Sequence, residues 1–162
     1  MASYTDALRA YQQLPEQVQS AILATVNAEG VPNASYAPFV RDNQCSFYLF
    51  VSGLSPHTQN LAQTGKASLM LIEDEANASQ IFARQRLSYD CSVSLVPRES
   101  DGWSAIADRF EARFGGLVQT LRGLGDFRIF QLSPYQGRFV MGFGAAYQVD
   151  PQDLSQLIHI DK

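Results

Sequence analysis

Between positions 86 and 95 the chain alternates without a break: Leu87, Tyr89, Cys91, Val93 and Leu95 hold one phase, and Arg86, Ser88, Asp90, Ser92 and Ser94 the other. Successive side chains on a strand point to opposite faces, so this run predicts a strand with one apolar face in a core and one polar face outside it. A fold that takes this segment must supply a sheet with a single buried side.

The segments around it point the same way. Residues 21–26 and 32–40 flank the turn Asn27-Ala28-Glu29-Gly30 and read as a β-hairpin, with Pro32 and Pro38 suited to strand ends or an edge. Asp42-Asn43-Gln44 makes a second turn into residues 45–51, whose aromatic and β-branched content suits a strand covered on both faces. Further strands are expected over 67–72, 127–132 and 137–149. Helices are expected from Thr5 to about Leu14, before Pro15, and from Ser55 as N-cap with Pro56 in the first turn to near Gly65. Trp103, Ile106, Ala107, Phe110 and Phe114 give a third amphipathic helix, continued by Leu117, Val118 and Leu121 towards Gly123 and Gly125. Strands outnumber helices and the turns are short, so we expect a mainly β, α+β chain: an antiparallel barrel with helices packed outside it. At 162 residues, with no internal repeat, residues 1–162 are expected to form one domain, with 149–162 as its C-terminal tail.

Charge and composition narrow the partners. The formal net charge is −4, and the 12 basic residues, of which only Lys66 and Lys162 are lysine, are scattered rather than clustered. No basic run is present to neutralise successive phosphates, so nucleic acid is not expected; isolated arginines suit individual carboxylate or phosphate contacts on a small anionic ligand. No apolar run approaches the ~20 residues of a membrane span, and the first residues lack a basic segment followed by an apolar one, so a soluble cytoplasmic protein is expected. Cys45 and Cys91 lie far apart with no metal-type spacing and read as two buried thiols.

Chemistry-bearing residues are few. One of the 2 histidines, His159, stands almost at the end of the polar tail, which follows the glycine-punctuated strand ending in Gly142-Phe143-Gly144-Ala145-Ala146-Tyr147. Short tails fray unless tied down, so this imidazole is either incidental or delivered to a site; residues 151–158 read as helix-like and would do the positioning. The glycines at 142 and 144 signal a bulge or a close backbone approach by a ligand or partner chain. His57 falls at a helix N-terminus, where the dipole disfavours the imidazolium and donors converge on anions, so it is a candidate for a ligand site or an interface. Arg86 on the polar face of its strand, with Arg84 as a weaker competitor, offers a bidentate partner for a carboxylate or phosphate. Lys66, at the head of a strand, is a candidate phosphate contact, and Asp126 is a turn residue before the strand at 127.

Three stretches, 21–40, 54–74 and 126–147, resemble the pyridoxamine 5'-phosphate oxidase-like, FMN-binding split-barrel superfamily. The ordered set Leu54-Ser55-Pro56-His57-Thr58-Gln59-Asn60-Leu61, Lys66-Ala67-Ser68-Leu69, Arg84-Gln85-Arg86-Leu87 and Gly142 to Tyr147 resembles its haem-utilisation branch, of HugZ/HutZ type. The resemblance implies a homodimer of six-stranded antiparallel split β-barrels with ligand clefts at the subunit interface. In the haem branch it implies haem there, its iron bound by a tail histidine, here His159, with an aspartate at the Asp126 position against the imidazole and Arg86 near the porphyrin. A carboxylate that accepts the Nδ1 proton fixes the tautomer and raises the basicity of the other nitrogen. The implied activity is oxidative haem degradation with iron release, fed by an external electron donor. The alternatives are an FMN-dependent oxidoreductase using basic side chains in the same cleft, and a non-catalytic haem carrier or regulatory binding protein.

Overall fold

The structure is a computed structural model that describes residues 3–160. Its strands are β1 (Ser20–Val26), β2 (Pro32–Arg41), β3 (Phe47–Ser52), β4 (Lys66–Ile72), β5 (Arg86–Val96), β6 (Phe127–Gly142), β7 (Ala145–Val149) and β8 (Leu157–His159). The helices are α1 (Tyr4–Gln17), α2 (Pro56–Thr64), α3 (Asp101–Phe114) and α4 (Leu117–Gly123). Every pairing is antiparallel. The strands follow the order β3-β2-β1-β4-β5-β6-β7-β8, and a further pairing of β3 with β6 closes the first six into a ring. This is the expected six-stranded antiparallel split barrel with flanking helices.

β6 makes closure and extension compatible. Residues 127–132 pair with β3 along one edge, and 137–142 pair with β7 along the same edge, while β5 follows the whole strand on the other side. β7 and β8 thus form a flap beyond the barrel wall. Leu23, Phe39, Leu49, Leu69, Leu87 and Phe139 fill the barrel and are completely buried. A second apolar cluster, with Trp103, Ile106 and Phe110 of α3 against Phe50 and Ile129, seats the helices outside the wall. A capping box between Ser3 and Asp6 starts α1, and Asn27 and Asp42 organise their turns by accepting backbone N–H bonds on Oδ1 at 2.8–3.0 Å.

Several expectations are corrected. α1 runs through Pro15, which is buried with Leu14, so packing against the barrel outweighs the lost amide hydrogen bond. β3 begins at Phe47 and Cys45 sits in the preceding turn at φ 65°, half-buried, whereas Cys91 is buried as expected. The core phase of β5 ends at Cys91, and Leu95 is 55% exposed. The third helix breaks at Gly115 into α3 and α4. Residues 127–142 form one strand, and Phe143-Gly144 is the hairpin turn after a bulge between Val140 and Gly142, with Gly144 at φ 69°, where a side chain would be strained. The tail is not helical: residues 150–156 form turns and 157–159 add β8 to the sheet.

Candidate functional site

The candidate residues fall into two groups at opposite ends of the barrel strands. Around α2 lie His57 and Asp126, near its start, and Lys66, just past its C-cap Gly65. Ser55 takes the N-cap position, but its hydroxyl makes no capping bond, and Pro56 opens the helix. His57 is half-buried with Nδ1 3.0 Å from the Ser35 hydroxyl of β2. Loss of water lowers its pKa from the usual 6.5, so the ring is neutral at pH 7 and suited to hydrogen bonding or soft ligation rather than to anion capture.

Asp126 is exposed and held on two sides. Its Oδ2 accepts the Ser52 hydroxyl at 2.7 Å, and its carbonyl accepts the Gly53 N–H at 2.8 Å. A Cβ at Gly53 would lie 2.9 Å from that carbonyl, so glycine there allows the end of β3 to approach the start of β6. Thr58 donates to the Ser52 carbonyl at 2.6 Å and Gln59 to that of Gly53 at 2.8 Å, which ties this corner to α2. Lys66 is exposed at the first position of β4, beside a groove of about 350 Å³ lined by Thr25, Ser68, Cys91 and Tyr135.

The other group surrounds the β6–β7–β8 flap. Arg84 closes the loop after β4: its Nε donates to the Glu73 carbonyl at 3.1 Å, its Nη2 to the same oxygen, and its Nη1 pairs with Glu75 at 3.1 Å. That guanidinium is engaged in shaping the loop. Arg86 is half-buried on the outer face of β5, as the alternation predicts, and donates to the Arg84 carbonyl at 3.1 Å.

His159 is the last residue of β8, opposite Tyr147, and its ring meets the Tyr147 ring edge-on with centroids 5.2 Å apart. The tail is therefore tied down. Tyr4 donates to the Leu157 carbonyl at 3.1 Å, Tyr11 to that of Leu154 at 2.5 Å, and Asp150 N–H to the Gln156 carbonyl at 3.0 Å. Exposed Phe143, Ile158 and Ile160 stand at the same end of the flap. A groove of about 260 Å³ there is lined by Ser88, Asp90, Arg138, Gln148 and Ile160. The register sets Arg86, Arg138, Ile158 and Ile160 on the outer face and His159 on the opposite one with Tyr147 and Leu157, so one chain alone does not bring the imidazole and these arginines to one surface.

Arg138 was missed in the sequence. The signal was present, since it shares the phase of Val140 and opposes that of buried Phe139, which puts a guanidinium on the outer face opposite Ser88.

Within one chain His159 and Asp126 do not meet. His159 lies level with Phe139 of β6 through Tyr147, while Asp126 immediately precedes that strand, so roughly 40 Å of strand contour separates them. Arg86 lies three inter-strand spacings from Ile160, roughly 14 Å, and on the face opposite that of His159.

Comparison with known proteins places this architecture. Residues 7–141 match the family described as pyridoxamine 5'-phosphate oxidase. The chain is 45% identical over 140 residues to the haem oxygenase HutZ of Vibrio cholerae, covering 86% of this chain and 79% of that protein. A crystal structure of Vibrio cholerae HutZ, there called a haem storage protein, superposes with a TM-score of 0.73 at 38% identity, over 76% of this chain and 86% of that one. Campylobacter jejuni ChuZ superposes with a TM-score of 0.86 at 30% identity, over 99% of this chain and 64% of the longer ChuZ chain.

Proposed function

Because the chain belongs to the pyridoxamine 5'-phosphate oxidase family, in the branch that contains HutZ, we propose that it binds haem and degrades it oxidatively, releasing iron, at a site shared by two copies of the chain. The observation that carries the reading is the 45% identity to a haem oxygenase, joined to a tail histidine held on a strand. Haem is here the substrate, with O2 and an external electron donor as co-reactants. His159 would ligate the iron. Exposed Phe143 at the hairpin tip supplies apolar surface for the porphyrin, and because Arg86 and Arg138 lie on the face opposite His159, the arginine that faces a propionate comes from the second copy. Asp126 of the second copy accepts the Nδ1 proton of His159, which makes the ligating nitrogen more basic. Ser52 and Gly53 hold that carboxylate in place beforehand.

The test is haem titration followed by turnover. Wild-type protein should give a shifted Soret band that His159→Ala abolishes; an unchanged spectrum in the variant overturns the ligand assignment. With ascorbate and oxygen the band should bleach as iron appears in a chelator assay. A stable band with no iron released would replace degradation by haem carriage or storage; the solved HutZ structure is described as that of a haem storage protein. The family match supports one other reading, an FMN-dependent oxidoreductase with Lys66 beside the Thr25–Ser68 groove as a phosphate contact. FMN binding tighter than haem binding in parallel titrations would favour it.

A further inference from the structure

The path of the tail from Asp150 to Gln156 is irregular and mostly exposed, yet it sets the position from which β8 starts. Within the segment, Gln156 N–H donates to the Asp153 carbonyl at 2.9 Å, and Ser155 bonds to Asp153 Oδ1 through its N–H at 3.0 Å and its hydroxyl at 2.6 Å. These bonds shape the turn but do not fix it to the barrel. The tie from the barrel interior comes from Tyr11 of α1, whose hydroxyl donates to the Leu154 carbonyl.

Tyr11 is itself placed from within. It is 4% exposed, its ring meets Phe139 edge-on at 5.7 Å, and its hydroxyl is hydrogen-bonded to that of Tyr89, which is 3% exposed. Tyr89 is in turn fixed by Gly137 across the sheet, where even a methyl carbon would lie 2.5 Å from its ring. A hydroxyl has a single proton to give. Since Tyr11 gives its proton to Leu154, Tyr89 must donate to Tyr11, and the chain runs from the Tyr89 O–H to Tyr11 and on to the Leu154 carbonyl. Burial pushes the Tyr11 hydroxyl up to about 12 and Tyr89 higher still, so both protons are retained at neutral pH. Phe139, on which Tyr11 rests, also pairs with Tyr147, the residue that His159 faces.

We infer that Tyr11, backed by Tyr89, is a positioning residue for His159: it anchors the turn before β8 to the barrel core and thereby sets where the imidazole stands. The haem-dependent consequences rest on the function proposed above, whereas the anchoring does not. The direction of the hydroxyl chain makes the two tyrosines unequal. Tyr11→Phe removes the bond to Leu154, while Tyr89→Phe removes an equally buried hydrogen bond but leaves Tyr11 free to donate to the tail.

The test compares these two variants. Amide hydrogen exchange is measured in haem-free protein at Asp150 and at 157–160, alongside urea midpoints. Both variants should lower the midpoint, but only Tyr11→Phe should speed exchange of the tail amides beyond that global change, by about five- to tenfold for one lost bond. In the haem complex Tyr11→Phe should raise the dissociation rate by a similar factor, and this effect should vanish in a His159→Ala background. Equal tail exchange in the two variants, or none in either, overturns the anchor, because a purely structural role predicts equality. A haem effect of Tyr11→Phe that persists without His159 overturns the assignment to that imidazole. If His159→Ala leaves the haem spectrum unchanged, the haem reading fails, and the exchange data taken without haem still decide the anchor.

Discussion

Half-burial against Ser35 strips water from the His57 imidazole, and the cost falls on its charged form. The folded-state pKa is lowered below the ordinary 6.5, so in the window between the two values the unfolded chain binds the proton and the folded chain does not. Stability therefore rises with pH across that window and is lost as the pH falls below about 6.5, until the folded imidazole is itself protonated. Urea midpoints taken from pH 7.5 downwards should show this decline in the wild type, and His57→Gln should flatten that part of the profile. A wild-type profile that is flat or slopes the other way across this range would refute the burial argument. The same desolvation disfavours a role for His57 as a cation towards a propionate, so anionic groups are better met by the arginines. Among those, Arg84 is already committed to the Glu73 carbonyl and Glu75.

At the scale of elements, β6 does the most, because it closes the barrel with its first half and carries the flap with its second. Gly137 begins that second half, opposite Tyr89, and a Cβ there would press on Cδ1 at 2.5 Å and Cε1 at 2.7 Å of a buried ring. Gly137→Ala should therefore cost about 1–3 kcal/mol by overpacking, read as a lower urea midpoint. It should also disturb the near-ultraviolet tyrosine signal by displacing Tyr89. An unchanged midpoint would mean that the ring shifts into the cavity of about 190 Å³ it borders with Arg41 and Cys45.

The sequence carried the barrel because its signals were local: alternation from 86 to 91, turn residues at Asn27 and Asp42, and the spacing of α3. β8 was not legible. Only 3 residues long, it follows Pro151, Asp153 and Ser155, a run that serves equally as a helix start or as the turns actually formed. Its strand character comes from the free edge of β7, a tertiary partner that no local pattern announces. Tyr11 falls inside the helix expected from Thr5 to Leu14, and no local pattern announces its role, because its hydroxyl partners lie 78 and 143 residues away in the chain.

For the whole molecule, the separation of His159 from Asp126 determines the form of the decisive test. If one site takes its imidazole from one chain and its carboxylate from the other, a dimer of His159→Ala with Asp126→Asn chains holds one intact site and one doubly altered site. A dimer of wild-type with doubly altered chains instead holds two sites, each lacking one group. The two dimers contain the same side chains in total and differ only in how they are distributed. Coexpression with two affinity tags isolates each heterodimer, and sedimentation establishes that the species is a dimer. The His159→Ala with Asp126→Asn pairing should bind haem at about half the wild-type stoichiometry with the wild-type Soret position and bleaching rate per site. The other pairing should yield no site with the wild-type spectrum and rate together. Reversal of this pattern would place both groups in one chain, which would require β6 to fold back on itself. A monomer at haem-binding concentrations would remove the second copy from the site altogether. The exposed side chains on the outer face offer surface for such a pairing, since Tyr36 and Ile22 lie beside each other in one cross-strand row with Met70 next in line. A charge placed there, Ile22→Lys, should weaken the dimer and reduce haem binding together, because on this arrangement neither half of the site is complete without the other chain.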